Sequence, residues 1–410
     1  MRPWLAFLLL AATPALAEPG LPPDAAVAEA LDIHPTVVAA RARVGAARAD
    51  AQGLAAGSQE VTAQGTIQRR DVRGVGMVPE YDLQFTRPIR LPGKGALDRR
   101  AGAAGIVAAD NRADDARHQA ALLLARHWWA WLGAADEARS LEASAQIMTM
   151  AVAATRQRLT LRDASALELD QALAAEAAAQ AAALNAAARA AAARAVLAAN
   201  FPDLVLPVSP PPLPVPALPA EGVAQLKALV VTRSHEIGAS AAEVARADAV
   251  KARAARDRVG DPSIGVRGFS EQGGNERGFG LVLSMPLGGR ARTARADHAA
   301  AMASAAAADL VATRSEVDAV AAEDAALATG YLKAWEQALA AAQSAAAAAE
   351  RQRKGHALGG VDLADRLASE RLARDAGLDE VRARAAAMEA ITRLRIDSHT
   401  LWMHADEGEH

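Results

Sequence analysis

Two carboxylates, Asp362 and Asp365, stand about one helical turn apart in the segment "GHALGGVDLADRLAS". Paired acids at that spacing attract cations when they face one another across a symmetric assembly; on an outer helix face they are simply solvated. Other groups with chemical potential are scattered. The nine histidines are spread along the chain and none has the close His–Glu spacing of a metalloenzyme. Met148 and Met150 are two positions apart, so a helix points them to different faces and they read as packing. His399, His404 and His410 have acidic neighbours in "SHTLWMHADEGEH", a pattern that a polar terminus explains without a metal. Trp128 and Trp131 of "HWWAWL" share a helix face and imply packing between helices. No nucleophile–base constellation occurs. The glycines of "RGVGMVPE" lie between two strand candidates, not in a strand-to-helix loop that could cradle phosphate. With no cysteine, the chain has no disulfide, no Cys-based zinc site, no thiol nucleophile and no lipid-modified cysteine. These residues give no enzyme, no cofactor and no metal centre.

The elements that would position such groups are mostly helical. The 410 residues are 52% hydrophobic but only 3% aromatic, so the apolar content is Ala, Val and Leu, suited to helices in close contact. A net charge of -3 leaves no basic excess for nucleic acid. The opening "MRPWLAFLLLAATPALAEPG" has a positive start, a short apolar core and the small-residue site Ala15-Leu16-Ala17, and is expected to be a secretory signal peptide over 1–17. No later stretch has 18 clean apolar residues, so no transmembrane helix is expected.

The chain is written twice. "LDIHPTVVAARARVGAARAD" matches "VTRSHEIGASAAEVARADAV", and "YDLQFTRPIRLPGK" matches "GFGLVLSMPLGGR". "ARHWWAWL" matches "ATGYLKAW", and "LTLRDASALELDQALAA" matches "GHALGGVDLADRLAS", all in the same order. The first repeat is expected over 18–200, with helices near 24–58, 96–158 and 163–199 and strands near 61–72 and 80–91. The second is expected over 221–402, with helices near 221–258, 290–354 and 361–402 and strands near 263–271 and 277–287. A proline-rich connector covers 201–220 and a polar tail 403–410. The proline-free segment 96–158 would extend about 90 Å as a helix, which implies a coiled coil or a tube.

Alternation is clear in two strands. Tyr81, Leu83 and Phe85 share one face, and Phe279, Leu281 and Leu283 share another. Lengths of about ten residues suit tilted membrane-spanning strands. An ordinary half-buried hairpin gives the same alternation. The surroundings favour the membrane: both hairpins join long helices, and no further strands exist to complete a sheet. Four strands cannot close a barrel, and open edges in lipid leave amides unsatisfied. Three copies would close a twelve-stranded barrel, so a homotrimer is the economical solution. Pro88 and Pro92 end the first sheet segment, Gly93 frees the backbone, and Lys94 leads into the helix; Pro286, Gly288 and Gly289 repeat the device.

On these features the whole mature chain resembles the TolC-like outer-membrane efflux family. "RPIRLPGK" is similar to the Pro-Gly-Lys turn of its heavy-metal resistance (CzcC/CusC-like) branch. His34-Pro35 and Ser234-His235 stand where family members often carry Asn-Pro. The resemblance implies a mainly α chain with a small β part. Its duplicated helix–β-hairpin–long helical hairpin unit would build a trimeric outer-membrane β-barrel, four strands per chain, continued by a periplasmic α-helical barrel. Tyr81, Leu83, Phe85, Phe279, Leu281 and Leu283 would then face lipid. A periplasmic adaptor and an inner-membrane pump of the RND type would complete the path. Heavy-metal cations are the first expected cargo; drugs, organic solutes and type I secretion substrates are the alternative. The resemblance makes the helix tips the adaptor-docking and entrance region: Arg158, Leu159, Arg162, Asp163, Ser165, His356, Leu358 and Gly359. For Asp362 and Asp365 two expectations stand: an acidic gate in the lumen, or a solvated outer helix face. A soluble periplasmic coiled-coil adaptor or scaffold is the rival reading, and the duplication speaks against it.

Overall fold

A computed structural model of the chain describes residues 20–403. The expected leader at 1–17, and His404 and His410 of the tail, lie outside the described residues. The elements run α1 (Asp24–Asp32), α2 (Pro35–Ala56), β1 (Thr62–Val72), β2 (Gly76–Pro88), α3 (Lys94–Thr160) and α4 (Ala166–Asn200). The same order then returns: α5 (Val223–Thr232), α6 (His235–Arg256), β3 (Ser263–Glu271), β4 (Glu276–Ser284), α7 (Arg290–Ala357) and α8 (Leu363–Asp397). Lengths repeat as well as order: α2 and α6 have 22 residues each, α3 and α7 have 67 and 68, and α4 and α8 have 35 each.

Several boundaries differ from expectation, and the following have a local reason. The helices expected at 24–58 and 221–258 are each two helices. Leu31 O accepts from His34 N–H, and Pro35, which lacks an N–H and has φ fixed near the helical value, restarts the chain as α2. In the second copy Ser234 Oγ accepts from Ile237 N–H at 3.1 Å and caps α6. Strand β2 begins at Gly76, not near 80. Residues of the expected hairpin tip, Pro79 included, pair with β1. Pro79 is tolerated there because β3 pairs with β2 only from Tyr81 to Pro88, so no ladder on the second side needs its missing N–H. Strand β4 stops at Ser284, where its partner β3 begins opposite it at Ser263.

The four strands form one antiparallel sheet in the order β1-β2-β3-β4. The β2–β3 ladder, Tyr81↔Ser270 to Pro88↔Ser263, therefore joins the two repeats. The chain divides into two compact units. One holds Pro35–Arg117 and Val231–Val320, and so contains the sheet; the other holds, of the described residues, 20–34, His118–Val230 and 321–403.

The second unit packs through small side chains. On α4, Ala172, Ala179, Ala183 and Ala186 are buried, with Ala175 and Ala182 partly so, a spacing close to the 3.5-residue period of helices that supercoil. Ala179, Ala183 and Ala186 meet Leu141, Ala145 and Met148 of α3, and Leu367 and Leu378 of α8, while Ala172 clusters with Val152 and Leu363. The tryptophans expected to pack do so: Trp128 and Trp131 are buried with ring centroids 5.4 Å apart, edge to face. Trp129 Nε1 donates to Thr392 Oγ1 at 2.9 Å, and Trp335 Nε1 to Glu380 Oε1 at 2.7 Å. No helix among the described residues is long and apolar enough to cross a membrane.

Candidate functional surfaces: the sheet, its turns and the helix tips

Register sorts the sheet into two chemically different faces. Phe85 pairs with Val266, which pairs with Leu281; Leu83 pairs with Gly268, which pairs with Phe279. Ile67 pairs with Tyr81, and Ile264 with Leu283. Opposed residues in an antiparallel ladder share a face, so all these apolar side chains stand on one side. That side is open: Phe279, Leu281 and Leu283 are 78%, 79% and 78% exposed, and Ile67 is 81% exposed. Gln64, Thr66, Gln68, Glu80, Asp82, Gln84 and Arg267 stand on the other side. There Gln68 Nε2 donates to Glu80 Oε2 at 2.8 Å, Arg70 pairs with Glu80 at 2.7 Å, and Arg267 pairs with Asp82 while its guanidinium lies 5.2 Å from the Phe269 ring centroid. A strand sheet in water buries its apolar face; here the buried charge (Glu80, 4% exposed) lies on the polar face and the apolar face is bare.

At the foot of the sheet, Pro92 and Gly93 occupy the centre of a turn closed by the Lys94 N–H to Leu91 O bond. Gly93 has φ +83°, the value this turn type requires of its third residue, and a Cβ there would run into the Arg256 guanidinium. Lys94 opens α3 and is 1% exposed. Its Nζ donates to Asp261 Oδ1, to Val259 O and to Asp257 Oδ1, each at 2.8 Å. Asp261 Oδ1 also accepts from Leu91 N–H at 3.1 Å. Burial alone would push both aspartates up, but the hydrogen bonds and charges of Lys94 and Arg253 outweigh it and hold both carboxyls below their ordinary range. The Pro-Gly-Lys turn thus fastens repeat one to the α6–β3 loop of repeat two. At the matching turn Pro286, Gly288 and Gly289 all lie outside the ladder, and neither glycine takes a positive φ.

Both helix tips end in the same motif. At the first, Asp163 N–H bonds Arg158 O and Arg162 N–H bonds Leu159 O, with Arg162 at φ 59°. At the second, Gly360 N–H bonds Gly355 O and Gly359 N–H bonds His356 O, with Gly359 at φ 78°. These are Schellman closures with one left-handed residue each. Their superposition pairs Leu358 with Leu161, a residue not among the expected tip positions. Leu159 is half-buried, whereas Leu161, Leu167 and Leu358 are 71%, 65% and 88% exposed. Leu161 and Leu167, not among the expected tip residues, add exposed apolar surface at this end.

The tip side chains are brought together. Arg158 donates to Asp163 Oδ2 and O at 3.0 and 2.8 Å, and its Nη1 lies 3.2 Å from His356 Nε2. The other ring nitrogen of His356 is 2.9 Å from Val361 O. Ser165, not Asp163, caps α4: Glu168 N–H donates to Ser165 Oγ, and Ser165 N–H donates to Glu168 Oε2 at 2.6 Å. That backbone bond holds the Glu168 carboxyl below its ordinary range. Asp362 caps α8, accepting from Asp365 N–H at 2.8 Å, and both acids are exposed.

A buried charge cluster in the same unit had no sequence signal. His118 Nε2 donates to Asp397 Oδ1 at 2.6 Å, and Arg393 Nε lies 2.9 Å from Asp324 Oδ1. Burial, then the hydrogen bond and charge of Asp397, push Asp324 up to about 8. Asp397 is held down: burial opposes its charge, but the bonds from His118 and Asp324 prevail. Of the two neighbouring acids, Asp324 is thus the one whose protonated form burial favours. Its members are far apart in sequence, His118 and Asp397 by 279 positions.

No family model and no curated protein matches the sequence. Solved structures do match. The outer membrane protein VceC of Vibrio cholerae aligns over 92% of this chain and 95% of its own, with TM-score 0.76 and 16% identity. CusC, from a study of folding and transmembrane channel formation, aligns over 91% of each chain with TM-score 0.76 and 15% identity. The open state of the MtrE outer membrane channel of Neisseria gonorrhoeae aligns over 94% and 90%, with TM-score 0.72 and 17% identity. The chain has the fold of these outer-membrane channels: mainly helical, with one small four-stranded sheet per chain.

Proposed function

We propose that this protein is the outer-membrane exit duct of a tripartite efflux system, working as a homotrimer. The observation that carries the reading is the sheet: apolar on one bare face, polar and ion-paired on the other, with β1 and β4 unpaired on their outer sides within the chain. Lipid offers no partner for those edge amides, so three sheets join into a closed barrel of twelve strands. The apolar face, with Tyr81, Leu83, Phe85, Phe279, Leu281 and Leu283, meets lipid, and the polar face lines a water-filled lumen. The long helices continue the passage into the periplasm. A periplasmic adaptor docks on the tips, where three leucines are exposed, and an inner-membrane pump, of the RND type, drives transport. Asp362 and Asp365 contribute negative charge near that entrance. The Pro92-Gly93-Lys94 turn supports heavy-metal cations as cargo over organic solutes.

The test is extraction and conductance. The purified protein should require detergent, run as a heat-labile trimer, and open ohmic pores in planar bilayers. A freely soluble monomer without pore activity overturns the reading and favours a periplasmic scaffold. Export of metal ions lost on deletion of the gene, with drug tolerance unchanged, is the expected cargo result.

A further inference from the structure

The contact between the two repeats inside one chain is a template for the contact between chains, and this rests on the trimeric reading above. Within the chain, β2 meets β3 and Lys94, the first residue of α3, meets Asp261, two residues before β3. Ile89 N–H donates to Pro262 O at 2.7 Å, extending that ladder by one bond. The duplication gives each member a counterpart. Pro88 corresponds to Pro286, Ile89 to Leu287, and Lys94 to Arg290, the first residue of α7. On the other side, β3 corresponds to β1, Pro262 to Val61, and Asp261 to Glu60.

These counterparts lie at the two outer edges of the sheet, beside β4 and β1. Separated by two further strands at about 4.8 Å spacing, the edges cannot meet within one molecule. Both charged residues are exposed, and neither has a side-chain ion pair or hydrogen bond among the described residues, whereas Lys94 is buried among its partners. Leu287 is 87% exposed and Val61 62% exposed, although their counterparts flank a hydrogen bond. Charge, exposure and position are all complementary between one edge and the other.

We infer that Arg290 of one copy forms an ion pair with Glu60 of a second copy, and that Leu287 N–H of the first donates to Val61 O of the second. The new interface reproduces the Lys94–Asp261 latch at each of the three seams between subunits. It fixes the strand register there, with Pro286 opposite Thr62 as Pro88 is opposite Ser263. The arrangement is antiparallel, as closure of an even-stranded barrel requires.

The chain has no cysteine, which makes the test clean. The variant carrying Glu60→Cys and Arg290→Cys should, on mild oxidation in detergent, give disulfide-linked dimers and trimers on a non-reducing denaturing gel. Each single-cysteine variant should stay monomeric there. Glu60→Arg or Arg290→Glu alone should lower the temperature at which the trimer dissociates, and the two together should restore it. An unmodified trimer in which the cysteine pair fails to link and the double charge reversal fails to restore overturns this pairing while leaving the trimer intact. An unmodified chain that is monomeric in detergent overturns the trimeric reading, and the pairing with it.

Discussion

The Arg158 guanidinium lies 3.2 Å from Nε2 of His356, although the two residues are 198 positions apart. The end of the first long helix is therefore bonded to the end of the second, and the two tips act as one structure. Arg158 spans them, holding Asp163 on its own turn and His356 on the other. Replacing Arg158 with Ala should loosen both turns. Amide hydrogen exchange should rise at 161–165 and at 356–360 together. A rise confined to 161–165 would mean that the cross-link carries no coupling.

The two left-handed residues make opposite predictions. Gly359, at φ 78°, has open space where a Cβ would sit, so Gly359→Ala meets only backbone strain and should cost about 1 kcal/mol. Arg162 already bears that strain at φ 59°, so Arg162→Gly should stabilise by somewhat less than about 1 kcal/mol, because glycine also gains entropy when unfolded. Thermal melts of the two variants should move in opposite directions.

Lys94 is buried against two carboxylates whose folded-state pKa values are depressed. A depressed carboxyl stabilises the fold above its unfolded pKa, and that stability is lost as pH falls through the folded value. The contribution is thus full at neutral pH and fades below about pH 4. Lys94→Met leaves Asp261 half-buried with only the Leu91 N–H bond and the more distant Arg253 charge, and should cost about 3 kcal/mol at pH 7. At pH 3 the variant and the parent should differ much less, and chemical denaturation at the two pH values measures this.

Asp324 has the reverse sign. Its folded pKa is raised to about 8, so the folded state holds a proton that the unfolded chain releases near pH 4. Stability falls as pH rises across that window, by at most about 1.4 kcal/mol per unit, and levels off above the folded value. Asp324→Asn keeps the shape of the protonated acid without its titration. The variant should gain on the parent as pH rises from 5 to 9, and a constant difference across that range would refute the raised pKa of Asp324.

On the sheet, Leu281→Arg should not perturb a face that water already covers. If the face meets lipid, the same substitution costs about 2–4 kcal/mol per subunit near the bilayer midplane and blocks assembly. Recovery of wild-type amounts of trimer in the membrane fraction would remove the lipid-facing assignment.

Much of this was legible in the residues. Alternation in "YDLQF" and "GFGLVL" reported the apolar face, and the paired order of motifs reported the duplicated fold. Short-range chemistry was legible only in part: Ser165 stood among the expected tip residues, but its capping partner Glu168 did not. The end of α3 was expected two residues early because an alanine-rich helix carries no sharp end signal, and its true end is set by a left-handed Arg162 that no rule anticipates. Glycine-rich "RGVG" suggested a longer loop than the strand pairing allows. Lys94 with Asp261, and His118 with Asp397, were invisible for a different reason: a lone charge in a helical pattern reads as solvated, and only the folded chain reveals its partner.

Because α3 and α7 differ by a single residue and α4 and α8 not at all, growth of the protein is constrained in pairs. Removing one heptad from α3 alone would withdraw Arg158 from His356 by about 10 Å of helix rise. The same deletion made in all four helices would keep the two ends level. Length variants that arise in nature or by design should therefore come as matched sets, one cut answered by three others.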